Sequence, residues 1–412
     1  MKKVIIPGLL LGLTVMIYFA VATRYTFHPM WALDYFNELA AALREGHLDL
    51  RNPSSTYDLI LFGGKWYAPW GILAALFFLP IQAIKGRFIP AIYISILFAS
   101  LNVLLVYFLL VRLREEFLKA MRYGEVLLVT ALYAFGTMNF YVGTLGSAWH
   151  VDQMVSSFFG TLSVYLIFKH KRRLTDYLYS VVALVPVLLG HATFVLLVVI
   201  PGLLYVWDIF RNRKITVRLR LIKKGLIIFG LPLGVGTGLF LLYNYLRFGS
   251  PWEYGYSYIL EAPFLEQIRL KNGVMSLTNL AHNIWYFAAE IPSLSVVNGL
   301  HLGINILGNS LFFLTPPLLT IFLAVPWKKI RDKWTFDPYV FSLWTGAVIT
   351  IIPSLMIYST GWMQFGYRYG LDIMPELVLL SVFGVKGKLN TLYILGISLA
   401  IFFHVLGIQA LM

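Results

Sequence analysis

The 412-residue chain contains no cysteine and has few charged residues. Without cysteine it can form no disulfide, no thiolate metal site and no cysteine nucleophile, so redox chemistry does not reveal its compartment. The phosphate-binding loop GxxxxGK[ST] and the motifs GxGxxG, HExxH and Asp-x-Asp are also missing. Soluble nucleotides are therefore disfavoured as donors, and a lipid-linked substrate reached from within the membrane is favoured.

Apolar sequence fills most of the chain. Hydrophobic residues make up 59% of it and charged residues 13%. Apolar runs of about 20 residues recur along the whole length, and each is long enough to cross the hydrocarbon core as a helix. No polar segment is long enough to form a soluble domain. Residues 1–412 are therefore predicted to form a single all-α integral membrane domain, a polytopic transmembrane helix bundle.

The basic residues support a membrane rather than nucleic acid as the partner. The net charge is +14, but it comes from short basic clusters between the apolar runs. This distribution is typical of residues that orient a protein in a membrane. Membrane lipids are therefore expected partners, and nucleic acid is not.

Eleven membrane-spanning helices are predicted from the apolar runs. They cover 4–23, 88–111, 124–143, 151–168, 175–190, 192–208, 225–246, 303–325, 338–358, 371–385 and 390–410. The first run, ending in Ala20-Val21-Ala22, is either a cleaved signal peptide or a retained helix. It exceeds the usual apolar region of a signal peptide, about 7–15 residues, which favours a retained helix.

The interrupted apolar segment 69–84 decides which side each later loop faces. If it does not span and the N-terminus is cytoplasmic, the basic clusters at 112–122, 169–173, 211–224, 328–333 and 386–388 all face the cytoplasm. If it spans, all of them face outward. The segment is therefore predicted to be an interfacial helix. The extracytoplasmic loops are then 24–87, 247–302 and the shorter 359–370, in a multi-pass protein of the inner (cytoplasmic) membrane.

Acidic residues on this extracytoplasmic face are the first candidates for chemistry. Asp34 and Glu38 are four residues apart and share one face of a predicted helix. They form either a solvated polar face or a general base or metal ligand at the membrane surface. Asp58 is a further acid in the same loop.

A second acid, Asp152, lies at the outer mouth of an otherwise apolar helix. An ionisable residue at that depth is a functional candidate. The alternative is a helix-start acid favoured by the helix dipole, worth about 0.3–1 kcal/mol. The neighbouring His150 is either a ligand or a structural residue.

The basic residues Lys65, Arg247 and Arg368 lie on the side opposite to the cytoplasmic clusters. At headgroup level such residues suit a phosphate, which arginine can bind through two parallel hydrogen bonds. The alternative is an extended side chain that reaches anionic lipid headgroups. Arg368 is flanked by Tyr367 and Tyr369.

Taken in order, stretches on this face resemble the GT-C class of polytopic glycosyltransferases, specifically bacterial relatives of protein O-mannosyltransferases and aminoarabinose transferases. LDYFNELAAALREGHLDL resembles the acidic first outer loop of that family, FGGKWYAPWG its Gly-Lys-Tyr-Pro-Gly stretch, and HVDQM the position of its second acid. RFGSPWEYGY and FGYRYGLDIMP resemble its later outer-loop motifs. Two positions depart from the pattern: Tyr35 stands where many relatives have a further acid, and Ala68 where some have lysine before the proline.

The resemblance implies a GT-C-like bundle with interfacial helices in the first outer loop. It also implies inverting transfer of a sugar from a polyprenyl-phosphate donor to a hydroxyl of a lipid, glycan or protein acceptor. Asp34 would be the general base or a metal-linked acid, with Asp152 as its partner, and Lys65 and Arg368 would hold the phosphate. We therefore expect a cavity lined by Asp34, Asp152 and Arg368, with the use of a divalent metal left open.

Two other functions compete with this one. A transporter or lipid flippase would place ionisable groups near the membrane midplane, whereas the predicted noncytoplasmic charges lie at the outer rim. A noncatalytic relative that binds polyprenyl lipid would keep the fold without the activity.

Overall fold

The computed structural model describes residues 2–29, 31–212, 214–296, 300–330, 333–361 and 363–411. Most of these residues are helical. The helices are α1 (Lys2–Ala22), α2 (Tyr35–Arg44), α3 (Ala75–Lys85), α4 (Ile92–Arg112), α5 (Tyr123–Phe135), α6 (Met138–Gly143), α7 (Ala148–Ile167), α8 (Leu174–Leu184), α9 (Val199–Arg211), α10 (Ile215–Gly225), α11 (Leu231–Phe248), α12 (Pro263–Asn272), α13 (Leu280–Ala288), α14 (Leu311–Leu314), α15 (Pro338–Met356), α16 (Met374–Gly384) and α17 (Thr391–Leu411).

Shorter elements connect these helices. The 3₁₀ turns are Pro186–Leu189, Ala192–Val198, Tyr256–Tyr258, Leu277–Asn279, Pro316–Leu323 and Arg368–Ile373, and π turns cover Leu113–Phe117 and Leu226–Gly230. The strands are β1 (Ile60–Phe62), β2 (Lys65–Tyr67), β3 (Ser293–Val296), β4 (Leu300–Gly303), β5 (Trp327–Ile330) and β6 (Lys333–Phe336). They pair in sequence order as three antiparallel hairpins. Such hairpins connect helices and build no sheet core, so the predicted all-α class is confirmed for the described residues.

Six helical segments of the described chain are long and apolar enough to cross a membrane, which indicates a membrane protein. They are Ile5–Ala22, Ile92–Phe117, Ala192–Arg211, Ile215–Phe248, Pro338–Met356 and Thr391–Leu411. The segment Ile215–Phe248 has 34 residues. At 1.5 Å per residue it is about 51 Å long, well beyond a hydrocarbon core of about 30 Å. Its basic first part, α10, therefore extends past the predicted span 225–246.

The predicted span 303–325 is not a continuous helix. It contains only the four-residue α14 and the 3₁₀ turn Pro316–Leu323. Pro316 and Pro317 provide no backbone N–H and restrict the preceding residue, so an α-helix cannot run through them. The predicted span 124–143 is also divided, into α5 and α6, by an N-cap at Thr137 whose side chain accepts from the Asn139 N–H.

The segment predicted to lie at the membrane interface forms α3, a helix of 11 residues with Pro80 inside it. Its length, about 16 Å, is too short to cross a membrane alone. It packs against α2, and the Gln82 side chain donates to the backbone carbonyl of Asn37 and to its side-chain oxygen at 3.0 Å each. Loop 24–87 is thus a folded unit with two helices and a hairpin.

Close backbone contacts join this unit to the bundle. The Leu73 N–H donates to the Leu189 carbonyl at 2.7 Å, and the Ala148 N–H donates to the Leu33 carbonyl at 3.0 Å. At Gly71 a Cβ would lie 1.9 Å from the Leu189 carbonyl oxygen, so only glycine fits. These contacts fix the positions of the turn at residue 190 and of the start of α7, which both line the cavity described next.

Candidate functional site

A cavity of about 370 Å³ lies where loops 24–87 and 247–302 meet the helix ends. Its walls come from the start of α7, the turn before the 3₁₀ segment Ala192–Val198, the last turns of α11 and α15, and the turn that begins at Arg368. The lining includes Asp58, Trp70, Trp149, Asp152, His191, Phe240, Arg247, Tyr256, Glu261, Ile357, Tyr358, Arg368 and Tyr369. Charged groups of both signs thus share a partly apolar cavity of a size that suits a small ligand.

Arg368 is 8% exposed and contributes its guanidinium to the cavity. Its backbone is fixed on both sides, because its N–H donates to Gln364 Oε1 at 3.1 Å and its carbonyl accepts from Gln153 Nε2 at 3.0 Å. The side chain donates only a long bond of 3.4 Å to the Tyr369 hydroxyl and lies over that ring at 5.1 Å. Its Nε has no partner in the described structure.

The space for this guanidinium depends on Gly361. A Cβ there would lie 2.7 Å from Arg368 Nε, and the backbone φ of +101° is one that side chains rarely adopt. Glycine at this position therefore allows the guanidinium to lie directly against the backbone.

Arg247 lies in the last turn of α11 and is 6% exposed. It donates to the Ala68 carbonyl at 3.0 Å and to Asn244 Oδ1 at 2.9 Å, and the Tyr243 ring lies 4.0 Å below the guanidinium. As in Arg368, Nε has no partner. No ion pair joins either arginine to an Asp or Glu of the described residues. Two buried cations thus face the cavity with unused hydrogen-bond donors.

Asp58 lines the cavity and is the acid of loop 24–87 that reaches it. It accepts from Trp149 Nε1 at 3.0 Å, and its backbone N–H donates to the Leu260 carbonyl. Its φ of +57° is unusual for a residue other than glycine, and such strained residues cluster at functional sites. Burial raises the pKa of Asp58 to about 6, although the Trp149 hydrogen bond and Arg368 oppose the rise. A carboxylate with this pKa suits a general base near neutral pH.

Asp152 is paired with a histidine that also contacts another acid. His191 Nδ1 lies 3.6 Å from Asp152 Oδ2, and His191 Nε2 lies 3.2 Å from Asp372 Oδ2. Asp372 is fully buried and also accepts from Gln153 Nε2 at 2.7 Å. Asp152 and His191 line the cavity, whereas Asp372 lies behind them.

Glu261 supplies a further acid on the opposite wall. It forms an ion pair with Arg269 at 2.6 Å and accepts a hydrogen bond from the Tyr358 hydroxyl. Because both partners are fixed by the fold, Glu261 connects loop 247–302 to the end of α15. This pair has the contacts of a structural anchor.

The structure brings Asp58, Asp152, Arg247 and Arg368 together, whereas Asp34 is not among the lining residues. Asp34 is the N-cap of α2, where it accepts from the Phe36 N–H at 2.8 Å and from the Asn37 side chain. Burial raises its pKa to about 6. The carboxylate of Asp34 therefore caps α2, and the Tyr35 ring of this helix stacks on Trp70, which lines the cavity.

Four other candidates also lie outside the lining residues. Lys65 is 59% exposed and lies 3.9 Å from Asp49 in the β1–β2 hairpin. Glu38 accepts from the Ser54 N–H at 2.9 Å. The His150 ring bonds the Ser147 hydroxyl, and the Tyr367 hydroxyl donates to the Ser354 carbonyl at 3.0 Å. The contacts of these four residues are therefore made away from the cavity lining.

A metal centre is not preformed in the part of the chain that the structure describes, since no group of three or more His, Asp or Glu side chains is arranged to hold an ion. His191 lies between Asp152 and Asp372 and contacts each separately, so the three do not share one point.

His191, Asp372 and Glu261 were not among the residues predicted from sequence. For His191 a signal was present, since it is the one ionisable side chain other than tyrosine between Asp176 and Asp208. An isolated ionisable group within an apolar stretch is a functional candidate. Asp372 and Glu261 have no comparable local signal.

Comparison with known proteins adds no relative: no protein-family model and no curated protein sequence matches the chain.

Proposed function

We propose that this protein is a membrane glycosyltransferase that moves a sugar from a polyprenyl-phosphate donor to an acceptor hydroxyl on the extracytoplasmic side. One observation carries the proposal: Arg247 and Arg368, both buried and without a carboxylate partner in the described structure, share a cavity with Asp58 and Asp152. Burying an uncompensated cation is costly. An anionic ligand would offset that cost.

A phosphate is an anion that suits these two cations. Arginine binds phosphate through parallel charge-assisted hydrogen bonds. The cavity also has an apolar wall that includes Phe240 and Ile357, which suits the first isoprene units of a lipid. Arg247 lies against the carbonyl of Ala68, the position where some relatives in the resemblance have lysine. Arg247 therefore places a cation close to the position where those relatives have a lysine and this chain has Ala68.

We assign the general base to Asp58 rather than to Asp34, because Asp58 lines the cavity. In the reaction, the Asp58 carboxylate takes the proton of the acceptor hydroxyl. The hydroxyl oxygen forms a bond to the anomeric carbon from the face opposite the phosphate, so the configuration inverts. The bond from that carbon to the phosphate oxygen breaks, and its electron pair stays on the phosphate. Arg247 and Arg368 stabilise the resulting negative charge.

The GT-C-like arrangement of eleven spans, with interrupted helices at 124–143 and 303–325, belongs to this proposal, as do the cytoplasmic N-terminus and the inner-membrane location. They rest on the positions of the basic clusters, which all lie on one side when α3 remains at the interface. The cavity then opens on the extracytoplasmic side, where lipid-linked sugars are used.

Binding of a sugar-free polyprenyl phosphate to the purified protein in detergent tests the phosphate site. We expect Arg368→Met and Arg247→Met to weaken binding, and Arg172→Met to leave it unchanged, since the Arg172 guanidinium is paired with Asp208 at 2.8 Å outside this cavity. Equal binding by all four proteins would contradict the proposal. Transfer of a labelled sugar then tests the reaction itself.

A transporter is the second candidate, because Asp152, Asp372 and Glu376 are buried within the bundle. Intramembrane acids of this kind form ion or proton pathways in transporters. Reconstituted vesicles separate the two functions. Movement of a fluorescent polyprenyl phosphate between leaflets without any sugar transfer would favour the transporter.

A further inference from the structure

His191 lies in a turn whose backbone and side chain are both held by close contacts. It joins the 3₁₀ segments Pro186–Leu189 and Ala192–Val198. Its backbone N–H donates to Ser156 Oγ at 3.0 Å, and a Cβ at Gly190 would lie 2.8 Å from the same oxygen. The imidazole also packs beside the rings of Tyr369 and Phe194. The fold thus sets the ring in one position between two carboxylates.

Asp372 is held more firmly than Asp152. Its Oδ1 accepts from Gln153 Nε2 at 2.7 Å, and its Oδ2 is approached by the hydroxyls of Thr193 at 3.3 Å and Ser354 at 3.4 Å. Asp372 is fully buried and does not line the cavity, so it has no route to a substrate. Its contacts suit a residue that holds His191.

The titratable groups next to His191 are Asp152 on α7 and Asp372 and Tyr369 on the 3₁₀ turn Arg368–Ile373. The positive charge of Arg368 acts in addition on Asp152. Burial alone would lower the pKa of His191, but the two carboxylates outweigh burial and raise it to about 10. The ring is therefore an imidazolium at neutral pH. Each ring nitrogen lies within 3.6 Å of a carboxylate oxygen, Nδ1 near Asp152 and Nε2 near Asp372.

The two carboxylate oxygens of Asp152 have different surroundings. Oδ2 faces His191, whereas Oδ1 is buried and has no hydrogen-bond partner in the described structure. A buried carboxylate oxygen without a donor is costly unless a ligand supplies the donor. In a cavity built for a sugar, the natural donor is a hydroxyl of the sugar.

We propose that His191 is a positioning residue: its ring, anchored by Asp372, places a positive charge beside Asp152 and holds this carboxylate so that Oδ1 accepts a hydroxyl hydrogen of the transferred sugar. This proposal rests on the proposed function. In this proposal Asp152 binds the sugar, and Asp58 remains the general base.

The replacement His191→Gln tests the proposal, because glutamine keeps the size and a hydrogen-bond donor but removes the charge. Asp152 then lies near Asp372 without a cation between them, so the ionised form of Asp152 loses its stabilising partner. We expect kcat at pH 7 to fall about 10- to 100-fold, the cost of one charge-assisted hydrogen bond. The loss should shrink as pH rises and Asp152 ionises, while KM for the donor stays within about threefold because both arginines remain.

The double variant His191→Gln/Asp372→Asn should recover part of the lost activity at pH 7, because Asp152 no longer faces a second carboxylate. The matched control is His404→Gln, since His404 is a buried histidine whose ring contacts the Ala400 carbonyl outside the cavity. It should leave the pH profile unchanged. A loss in His191→Gln that is equal at every pH, or a larger loss in the double variant, would overturn the positioning role.

A readout without substrate separates this proposal from the proposed function. In ¹⁵N-histidine NMR spectra of the purified protein at pH 8, we expect one imidazolium signal that disappears in His191→Gln. Its absence from the wild-type spectrum would overturn the inference. No transfer by the wild type from any polyprenyl-phosphate donor would overturn the proposed function, and with it the role of His191, even if the imidazolium is present. Transfer by the wild type with an unaltered profile in His191→Gln would overturn the positioning role alone.

Discussion

Replacing Arg368 by methionine distinguishes a ligand-binding guanidinium from a structural one. Methionine keeps much of the length and apolar surface of the side chain but removes its charge and donors. In the structure the Arg368 side chain makes one long hydrogen bond, to Tyr369, and no ion pair with a described acid. The substitution therefore removes little that stabilises the fold, and it removes the cost of a buried cation.

The expected loss of donor affinity follows from the bonds that the guanidinium can make. Two parallel bonds to a phosphate are each worth about 1.5–3 kcal/mol, and the pair is not fully additive. A loss of about 3 kcal/mol corresponds to roughly 150-fold weaker binding. We therefore expect Arg368→Met to weaken donor binding about 100-fold or more, with an unfolding temperature that is unchanged or higher.

Arg172→Met is the matched control, because Arg172 is also buried but fully paired. Its guanidinium contacts Asp208 at 2.8 and 3.1 Å and the Lys169 carbonyl at 2.7 Å. Removing it leaves the Asp208 carboxylate without its partner. We expect the opposite result there, a lower unfolding temperature and normal donor binding.

The assay is donor titration and thermal unfolding of both variants in the same detergent. A lower unfolding temperature for Arg368→Met together with wild-type donor affinity would refute the reasoning, because it would make Arg368 a structural residue.

The remaining predictions concern residues of loop 24–87. Asp58→Asn should lower kcat by about 10²- to 10⁴-fold without loss of donor binding, and wild-type kcat should fall as pH drops below about 6, where the base becomes protonated; a flat profile from pH 5 to 8 would contradict this. Asp34→Asn should keep most of the activity because asparagine also caps helices, whereas Asp34→Ala should cost about 0.5–2 kcal/mol of stability; abolished turnover in a folded Asp34→Asn protein would return Asp34 to the mechanism. Lys65→Ala should leave donor affinity and unfolding temperature unchanged, since an exposed ion pair with Asp49 contributes little; a large rise in KM would contradict that.

The sequence was informative where a local pattern decides the outcome. The apolar runs predicted helices, and α1, α4, α7, α15 and α17 lie close to predicted spans. The sidedness of the basic clusters predicted that 69–84 does not span, and α3 is too short to span. In each case the decisive physics can be read along the chain, namely helix length, apolar content and the placement of basic residues.

Sequence was less informative where distant segments meet. Asp152 and Arg368 were correctly expected to share a cavity, but Asp34 was expected there in place of Asp58. The two acids lie in the same loop and have the same chemistry. What separates them is that Asp34 caps α2, whereas Asp58 is held at φ +57° beside Trp149. An N-cap has a local signature, an Asp directly before an apolar helix, which could have identified the structural role of Asp34.

The pairing of His191 with Asp152 and Asp372 could not be predicted in the same way. The three residues come from three separate elements, and only the packing of those elements brings His191 within 3.6 Å of Asp152 and 3.2 Å of Asp372. The unpaired state of Arg247 and Arg368 is equally invisible in the sequence, because it depends on which acids the fold keeps away from them.

The most direct test of the central claim is transfer of a labelled sugar from polyprenyl-phosphate donors by the purified protein, with wild type and Asp58→Asn compared at equal donor occupancy. We predict that the wild type releases polyprenyl phosphate and labels an acceptor hydroxyl, while Asp58→Asn binds the donor and transfers at most about 1% as fast. Equal turnover by Asp58→Asn would contradict the mechanism. Donor binding without turnover by the wild type across a panel of donors and acceptors would contradict the claim that this cavity is a glycosyltransferase site.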